Sequence, residues 1–429
     1  MHLRRIQIPE FRVLRDVDLR FDAGMDPQVF PLGSENGGGK STLLQLVFVL
    51  LHCTSEPEQA ELVRNTMSSF DHPAGMAEKL VARLDVWDGD RQRSLEFVSL
   101  GNALLVELVG SHQPGMGFEV LEMLSAEQWN RKHDERLSTR RDRITHGLAA
   151  RNYLQVTWYP AITDEDARHL LIVRGWETDG TDMETSEVAE LLARCRRSVF
   201  LMGPSSQPYL FLPLASRQSF VVRPTIRSNK YGGARDEPTG SPLIAYLRDL
   251  EHAAERLPGF FAYDWVSVDP LVELFKQARD RDFASAVEQG SYGTALAEIT
   301  RNVNALLFGK QVRPLGDLSG VEFTVTQADG TERKLGPEDL SRGELKRLML
   351  YAWLRTNADD DALVLMDELE VSFHPDWQYG IVRDLVEWAP RAQFVLATHS
   401  HEICEAVTPA HVRELEPKLG SRVDDGTST

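Results

Sequence analysis

Residues 28–51 constrain the fold more than any other stretch of this chain. Gln28-Val29-Phe30-Pro31-Leu32 reads as a buried strand and runs into Ser34-Glu35-Asn36-Gly37-Gly38-Gly39-Lys40-Ser41-Thr42. Residues 40–51 then read as a helix, apolar nearly all round and so buried. A strand, a glycine-rich loop and a helix in that order form the setting of a phosphate-binding loop. Backbone N–H groups and a helix N-terminus cradle a polyphosphate, provided no bulky side chain intervenes. Gly37, Gly38 and Gly39 meet that condition, with Glu35, Asn36 and Thr42 as their expected companions. Lys40 is expected to reach the β- and γ-phosphates and the Ser41 hydroxyl to ligate Mg²⁺. The strict pattern has Gly at position 34, where this chain has Ser34; Gly33 can supply the sharp exit from the strand.

Three downstream motifs sharpen the reading. Ala362–Met366 is an apolar strand ending in Asp367-Glu368. An acidic pair at a strand end is often only solvated. Behind a phosphate loop, Asp367 is expected to hold Mg²⁺ and Glu368 to act as general base toward the attacking water. Gln393–Ala397 is a second such strand, ending in Thr398-His399-Ser400, where His399 can hydrogen-bond the γ-phosphate. Ser341-Arg342-Gly343-Glu344 opens a helix over 345–354. Ser341 with Glu344 is a capping box, and a capped helix start is also an anion site. The expected cofactors are therefore ATP and Mg²⁺.

Leu340-Ser341-Arg342-Gly343-Glu344 ahead of the acidic strand resembles the signature motif of ABC-type ATPases. The opening Ile8-Pro9-Glu10-Phe11-Arg12-Val13-Leu14-Arg15-Asp16-Val17 is similar to that of the soluble branch holding RecF, SMC and the OLD-like ATPases of bacterial defence. Asp367-Glu368-Leu369-Glu370-Val371-Ser372-Phe373-His374-Pro375 resembles that branch's acidic motif and Leu-His-Pro element, with Phe373 in the Leu place. The resemblance implies that Ser341, Gly343 and Glu344 face a γ-phosphate held by another copy, through a homodimer or higher homo-oligomer. It also implies that 370–374 is the D-loop crossing the interface. A Q-loop glutamine is implied as well: Gln207 is the first choice and Gln155 the second. Only about thirty residues follow His399, which leaves no room for an OLD-type C-terminal nuclease domain. The implied function is an ATP-driven conformational switch acting on a separately encoded effector in antiphage defence. The alternative is a RecF-like DNA-repair or DNA-loading ATPase.

The expected fold class is α/β, an ABC-ATPase head with a mixed central sheet, an antiparallel β subdomain and a helical insertion. The expected divisions are an N-terminal ATPase lobe over 1–120, a mainly helical stretch over 121–310, a C-terminal ATPase lobe over 311–419 and a disordered tail over 420–429. Strands are expected at 3–9, 15–21, 81–87, 94–99 and 103–109, and a hairpin around Asp329-Gly330. Helices are expected at 186–198, 242–256, 268–280 and 291–307. With 47 Lys and Arg against 65 Asp and Glu, the charge of −18 disfavours constitutive nucleic-acid binding. A locally basic helical stretch, Arg131, Lys132, Arg136, Arg140, Arg141, Arg143 and Arg151, is the best support for the DNA alternative. Residues 217–240 read as an exposed loop. Cys53, Cys195 and Cys404 lie far apart in sequence, with no metal-site spacing. Cys53 and Cys404 read as core residues, in keeping with a reduced cytoplasmic protein that lacks a transmembrane run or a signal-peptide core.

Overall fold

Two sets of strands with different hydrophobic patterns divide the chain. The computed structural model describes residues 1–33, 37–73, 75–101, 104, 144–160, 168–213, 216–217, 242–263, 267–358 and 361–415. The chain opens with β1 (His2–Phe11) and β2 (Leu14–Arg20), then enters β3 (Val29–Gly33) and α1 (Lys40–Phe48). A π turn, Val49–Cys53, carries α1 on toward α2 (Ala60–Met67). β4 (Glu78–Trp87), β5 (Gln92–Leu100), β6 (Leu154–Pro160) and β7 (Arg168–Glu177) join the first pair in an antiparallel sheet of order β2-β1-β4-β5-β7-β6.

Next come α3 (Thr185–Ser198), β8 (Val199–Gly203), α4 (Pro242–Glu255) and β9 (Phe260–Ala262). α5 (Asp269–Gln289) and α6 (Ala295–Ala305) form a hairpin. Its second helix starts where the Asp282 carboxylate accepts the N–H groups of Ala295 and Leu296. A small antiparallel sheet, β10 (Lys310–Pro314), β11 (Val321–Thr326) and β12 (Glu332–Leu335), precedes α7 (Arg342–Asn357). The chain ends through β13 (Leu363–Asp367), α8 (Pro375–Trp388), β14 (Gln393–Ala397), α9 (His401–Glu405) and β15 (Arg413–Glu414).

The second large sheet, β15-β3-β14-β13-β8-β9, is parallel throughout its described strands. Every residue of β13 and β14 is buried, as parallel strands covered on both faces require. Their side chains alternate between two cores. Leu363, Leu365, Val395 and Ala397 join the core shared with α1, α2, α3 and the antiparallel sheet. Val364, Met366, Phe394 and Leu396 join the core built by α5, α6, α7 and α8. The fold is α/β, as expected, with one parallel and two antiparallel sheets among the described residues.

Several expectations differ from the structure. Within the stretch 121–310, expected to be mainly helical, the described residues also hold four strands: β6 and β7 complete the antiparallel sheet, and β8 and β9 belong to the parallel one. The helix expected at 268–280 runs on to Gln289, and the one expected at 291–307 spans Ala295–Ala305. Arg217, expected at the start of an exposed loop, is buried, with Nη2 donating to the Asn65 carbonyl and the Ser68 hydroxyl. Cys195 is buried on α3 with Cys53 in the same core, whereas Cys404 is only half-buried. The strand expected at 103–109 falls, but for Leu104, outside the described residues. So do residues 218–240, the tail, and all of the basic stretch except Arg151.

Candidate functional site

Four adjacent parallel strands, β3, β14, β13 and β8, deliver their C-terminal ends to one edge of the sheet. The loops leaving those ends carry the expected site residues, as ligand sites in open parallel sheets do. Glu35 and Asn36 lie outside the described residues; Gly37, Gly38 and Gly39 lie within them. Gly37 and Gly39 take the left-handed backbone, with φ of 84° and 87°. A Cβ on Gly39 would stand 2.7 Å from Leu14 Cδ2 and 2.9 Å from Val13 Cγ2, so the β1–β2 turn presses directly on the loop. α1 begins at the next residue, and its N-terminal amides, which lack intrahelical acceptors, are the expected phosphate cradle.

Lys40 is 6% exposed, and its Nζ lies 3.5 Å from His399 Nδ1. Burial pushes the Lys40 ammonium below its ordinary pKa, while Asp367 and Glu370 pull it back. Asp367, at the end of β13, is 3% exposed. Burial raises its carboxyl above the usual carboxylate range. Hydrogen bonding from Ser41 and Gln207 opposes that rise, and the neighbouring Glu368 and Glu370 carboxylates add to it. Gln207, in the turn after β8, thus reaches Asp367, although its Nε2 does not close a bond of full geometry. The Gln207 carbonyl also accepts the Gln45 side-chain amide of α1 at 3.3 Å. Gln155 lies exposed on β6 in the antiparallel sheet.

Glu368 is exposed at the mouth of the site, in a left-handed backbone with φ of 52°. Its N–H donates to the Ala397 carbonyl at 3.0 Å, which ties the acidic strand end to the one carrying His399. The site residues therefore converge within one chain: Gly37, Gly38, Gly39, Lys40, Ser41 and Thr42 from α1 and its loop, Asp367 and Glu368 from β13, His399 from β14, and Gln207 from the β8 turn.

Ser341, Gly343 and Glu344 form a second group at the start of α7. Ser341 caps the helix: its Oγ accepts the Glu344 N–H at 3.2 Å, and the Glu344 carboxylate accepts the Ser341 N–H at 2.8 Å. Lys310 Nζ donates to both Glu344 oxygens, at 3.0 and 2.8 Å. Burial would raise the Glu344 carboxyl, but Lys310 and Ser341 hold it below the usual range. A Cβ on Gly343 would lie 2.7 Å from the Ser372 carbonyl oxygen and 3.1 Å from Trp377, so this helix start sits directly on the 370–374 turn.

The donor set suits a polyphosphate with its divalent cation. Two carboxylates, Asp367 and Glu370, act on the Lys40 ammonium, and Glu368 stands beside Asp367. Among the described residues no group of three His, Cys, Asp or Glu side chains could hold a metal unaided. A Mg²⁺ here would use Ser41, Asp367 and phosphate oxygens, the pattern this ion favours. Lys346 is not legible in the sequence as part of this cluster, and Glu370 is expected only as the first residue of the D-loop over 370–374. Glu370 accepts the Thr398 hydroxyl and the His399 N–H, and Lys346, in α7, donates to three carbonyls of the 368–371 turn. For Lys346 the sequence offers no local signal, since Glu344 and Arg347 flank it on the same helix.

Residues 212–405 match a protein family described as "AAA domain, putative AbiEii toxin, Type IV TA system". The "Retron Vc95 probable ATPase" of Vibrio cholerae serotype O1 biovar El Tor is 39% identical over 91 residues, 21% of this chain and 17% of that protein. The "Retron Ec83 probable ATPase" of Escherichia coli is 32% identical over 54 residues, 13% of this chain and 10% of that protein. The matched stretches thus span less than a fifth of either relative. The SMC head domain of Thermotoga maritima superposes with a TM-score of 0.39 at 12% identity, covering 95% of this chain and 92% of that one. The Pyrococcus furiosus Smc head, with an extended coiled coil and bound to the C-terminal domain of ScpA, gives 0.35 at 12% identity, over 95% and 92%. The matched family and the two retron relatives bear out the resemblance to ABC-type ATPases that the motif order carries.

Proposed function

We propose that this chain binds and hydrolyses ATP at a site completed by a second copy, and that it serves bacterial antiphage defence as a switch on a separately encoded effector. The observation that carries the reading is the convergence of Lys40, Ser41, Asp367, Glu368 and His399 at one sheet edge, with Asp367 buried and in reach of Ser41. The N-terminal amides of α1 and the Lys40 ammonium hold the phosphates. Ser41 and Asp367 would hold a Mg²⁺, which would supply charge neutralisation to the phosphates. The exposed Glu368 carboxylate orients the attacking water and takes its proton, and His399 hydrogen-bonds the γ-phosphate. Ser341 and the α7 N-terminus serve a phosphate held by the other copy. They pack on the 370–374 turn, whereas Lys40 faces His399 and Asp367. ATP shared between copies favours the closed assembly by differential binding, and hydrolysis releases it. The retron names of two relatives support the defence setting.

Glu368→Gln tests the reading. The variant should retain Mg-ATP binding, lose turnover by roughly 10²–10⁴-fold, and accumulate as a dimer or larger assembly by light scattering. A variant that stays monomeric at saturating Mg-ATP would refute the shared site. Stimulation of the wild-type turnover by duplex DNA, weakening with salt, would favour the RecF-like reading instead.

A further inference from the structure

We infer that Lys346 is a positioning residue for hydrolysis, clasping the turn that bears Glu368 to the helix that begins at Ser341. This inference rests on the ATPase reading above. Lys346 lies one turn into α7 and is 5% exposed. A lysine that deep is retained only where its ammonium is well satisfied. Its Nζ donates to the carbonyls of Glu368 at 3.4 Å, Leu369 at 2.8 Å and Val371 at 2.9 Å. It also stands 3.8 Å from the centroid of the Tyr263 ring and 4.9 Å from that of Phe373, within cation–π range of both.

The turn so held is strained at both ends. Glu368 has φ of 52° and Ser372 has φ of 73°, left-handed conformations that residues with a Cβ adopt only when the surroundings impose them. Three carbonyls drawn onto one cation supply that imposition, because they must point the same way for Nζ to reach them. Carbonyl direction fixes the peptide planes, and those planes fix where the Glu368 side chain leaves the chain. Lys346 touches neither phosphate nor water in this account. Its effect passes through the backbone of the residue that activates the water.

Lys346→Met keeps the length and apolar stem and removes the donor. Two readouts judge it in protein whose circular dichroism matches wild type. The first is steady-state turnover beside ATP affinity. The inference expects kcat to fall about 10–100-fold with nucleotide Kd within about threefold of wild type, a general-base contribution partly lost. The second is amide hydrogen exchange without nucleotide, where the N–H groups of Glu368, Val371 and Phe373 should exchange at least tenfold faster. An unchanged kcat, or equal losses in kcat and affinity, would overturn the inference. Unchanged exchange overturns the clasp alone and leaves the ATPase reading standing. A wild-type chain without turnover would overturn both. Lys346→Arg serves as the conservative control and should recover part of the exchange protection.

Discussion

Glu370 accepts the main-chain N–H of His399 at 2.7 Å, and its other carboxylate oxygen accepts the Thr398 hydroxyl at 2.8 Å. The loops leaving β13 and β14 are therefore joined by charge-assisted bonds as well as by the Glu368–Ala397 contact. Glu370→Ala removes the acceptor and leaves His399 free to drift from Lys40. Turnover is expected to fall about tenfold or more, from roughly 1.5–3 kcal/mol of lost charged hydrogen bonding. Nucleotide affinity should change far less, because the α1 amides remain. Steady-state kinetics beside equilibrium nucleotide binding will separate the two effects.

Gly39→Ala should be worse for binding than for folding. The left-handed φ alone costs about 1–2 kcal/mol for a residue with a Cβ, and that Cβ would press on Leu14 and Val13. The loop can relax only by moving the N–H groups expected to hold phosphate. Nucleotide titration should show lost affinity, with only a modest drop in the melting temperature without nucleotide.

Gly343→Ala should act in the opposite order. Its Cβ would meet the Ser372 carbonyl, which is backbone and cannot swing aside. Overpacking of this kind costs about 1–3 kcal/mol. A lowered melting temperature without nucleotide is expected, together with weaker ATP-dependent assembly of the Glu368→Gln form. An unchanged melting temperature would show that the 370–374 turn yields.

Acid should destabilise the chain through two buried histidines. Burial lowers both His52 and His169 to about 4. His169 stacks on His72 with ring centroids 4.6 Å apart, and His52 Nδ1 is 2.8 Å from the Val199 carbonyl. Both rings are neutral when folded. The unfolded chain, with histidine near its ordinary value of about 6.5, gains protons first. Stability is then level above about pH 6.5 and is lost as pH falls toward 4. Thermal melts between pH 7.5 and 5 should show this slope, and His169→Gln should flatten part of it.

Lys310→Met should expose the cost of a stranded carboxylate. Glu344 would lose its charged partner and keep only hydrogen bonds from Ser341 while remaining 7% exposed. Leaving a buried charged acceptor short of donors costs roughly 1–3 kcal/mol. Adding Glu344→Gln should restore part of that loss, and a double-mutant cycle on the melting free energy measures the coupling.

Elements with local patterns were legible. The run into Gly37, the strand before Asp367 and the strand before His399 each carry their own periodicity and end signal, and the structure sets them side by side. The start of α7 was equally plain, since a capping box needs only four residues. β6 and β7 were missed although they pair with each other locally; their place in the larger sheet is set only by the pairing of β7 with β5 across a long sequence gap. Gln207 ranks ahead of Gln155 in the sequence, but only tertiary contact sets it beside Asp367. Lys346 stayed hidden for the same reason, and Glu370 was expected only within the D-loop, without its bonds to Thr398 and His399. Their roles lie in which distant main-chain atoms they meet.

The packing at Gly343 bears on how kinship among such proteins should be judged. Glycine there has a reason to persist that is independent of any nucleotide, the nearness of the Ser372 carbonyl. A descendant that had abandoned nucleotides altogether would still be under pressure to keep it. Glycine at this position is therefore a poor witness to surviving chemistry. Ser341 and Glu368, each replaceable without crowding a neighbour's backbone, would testify better.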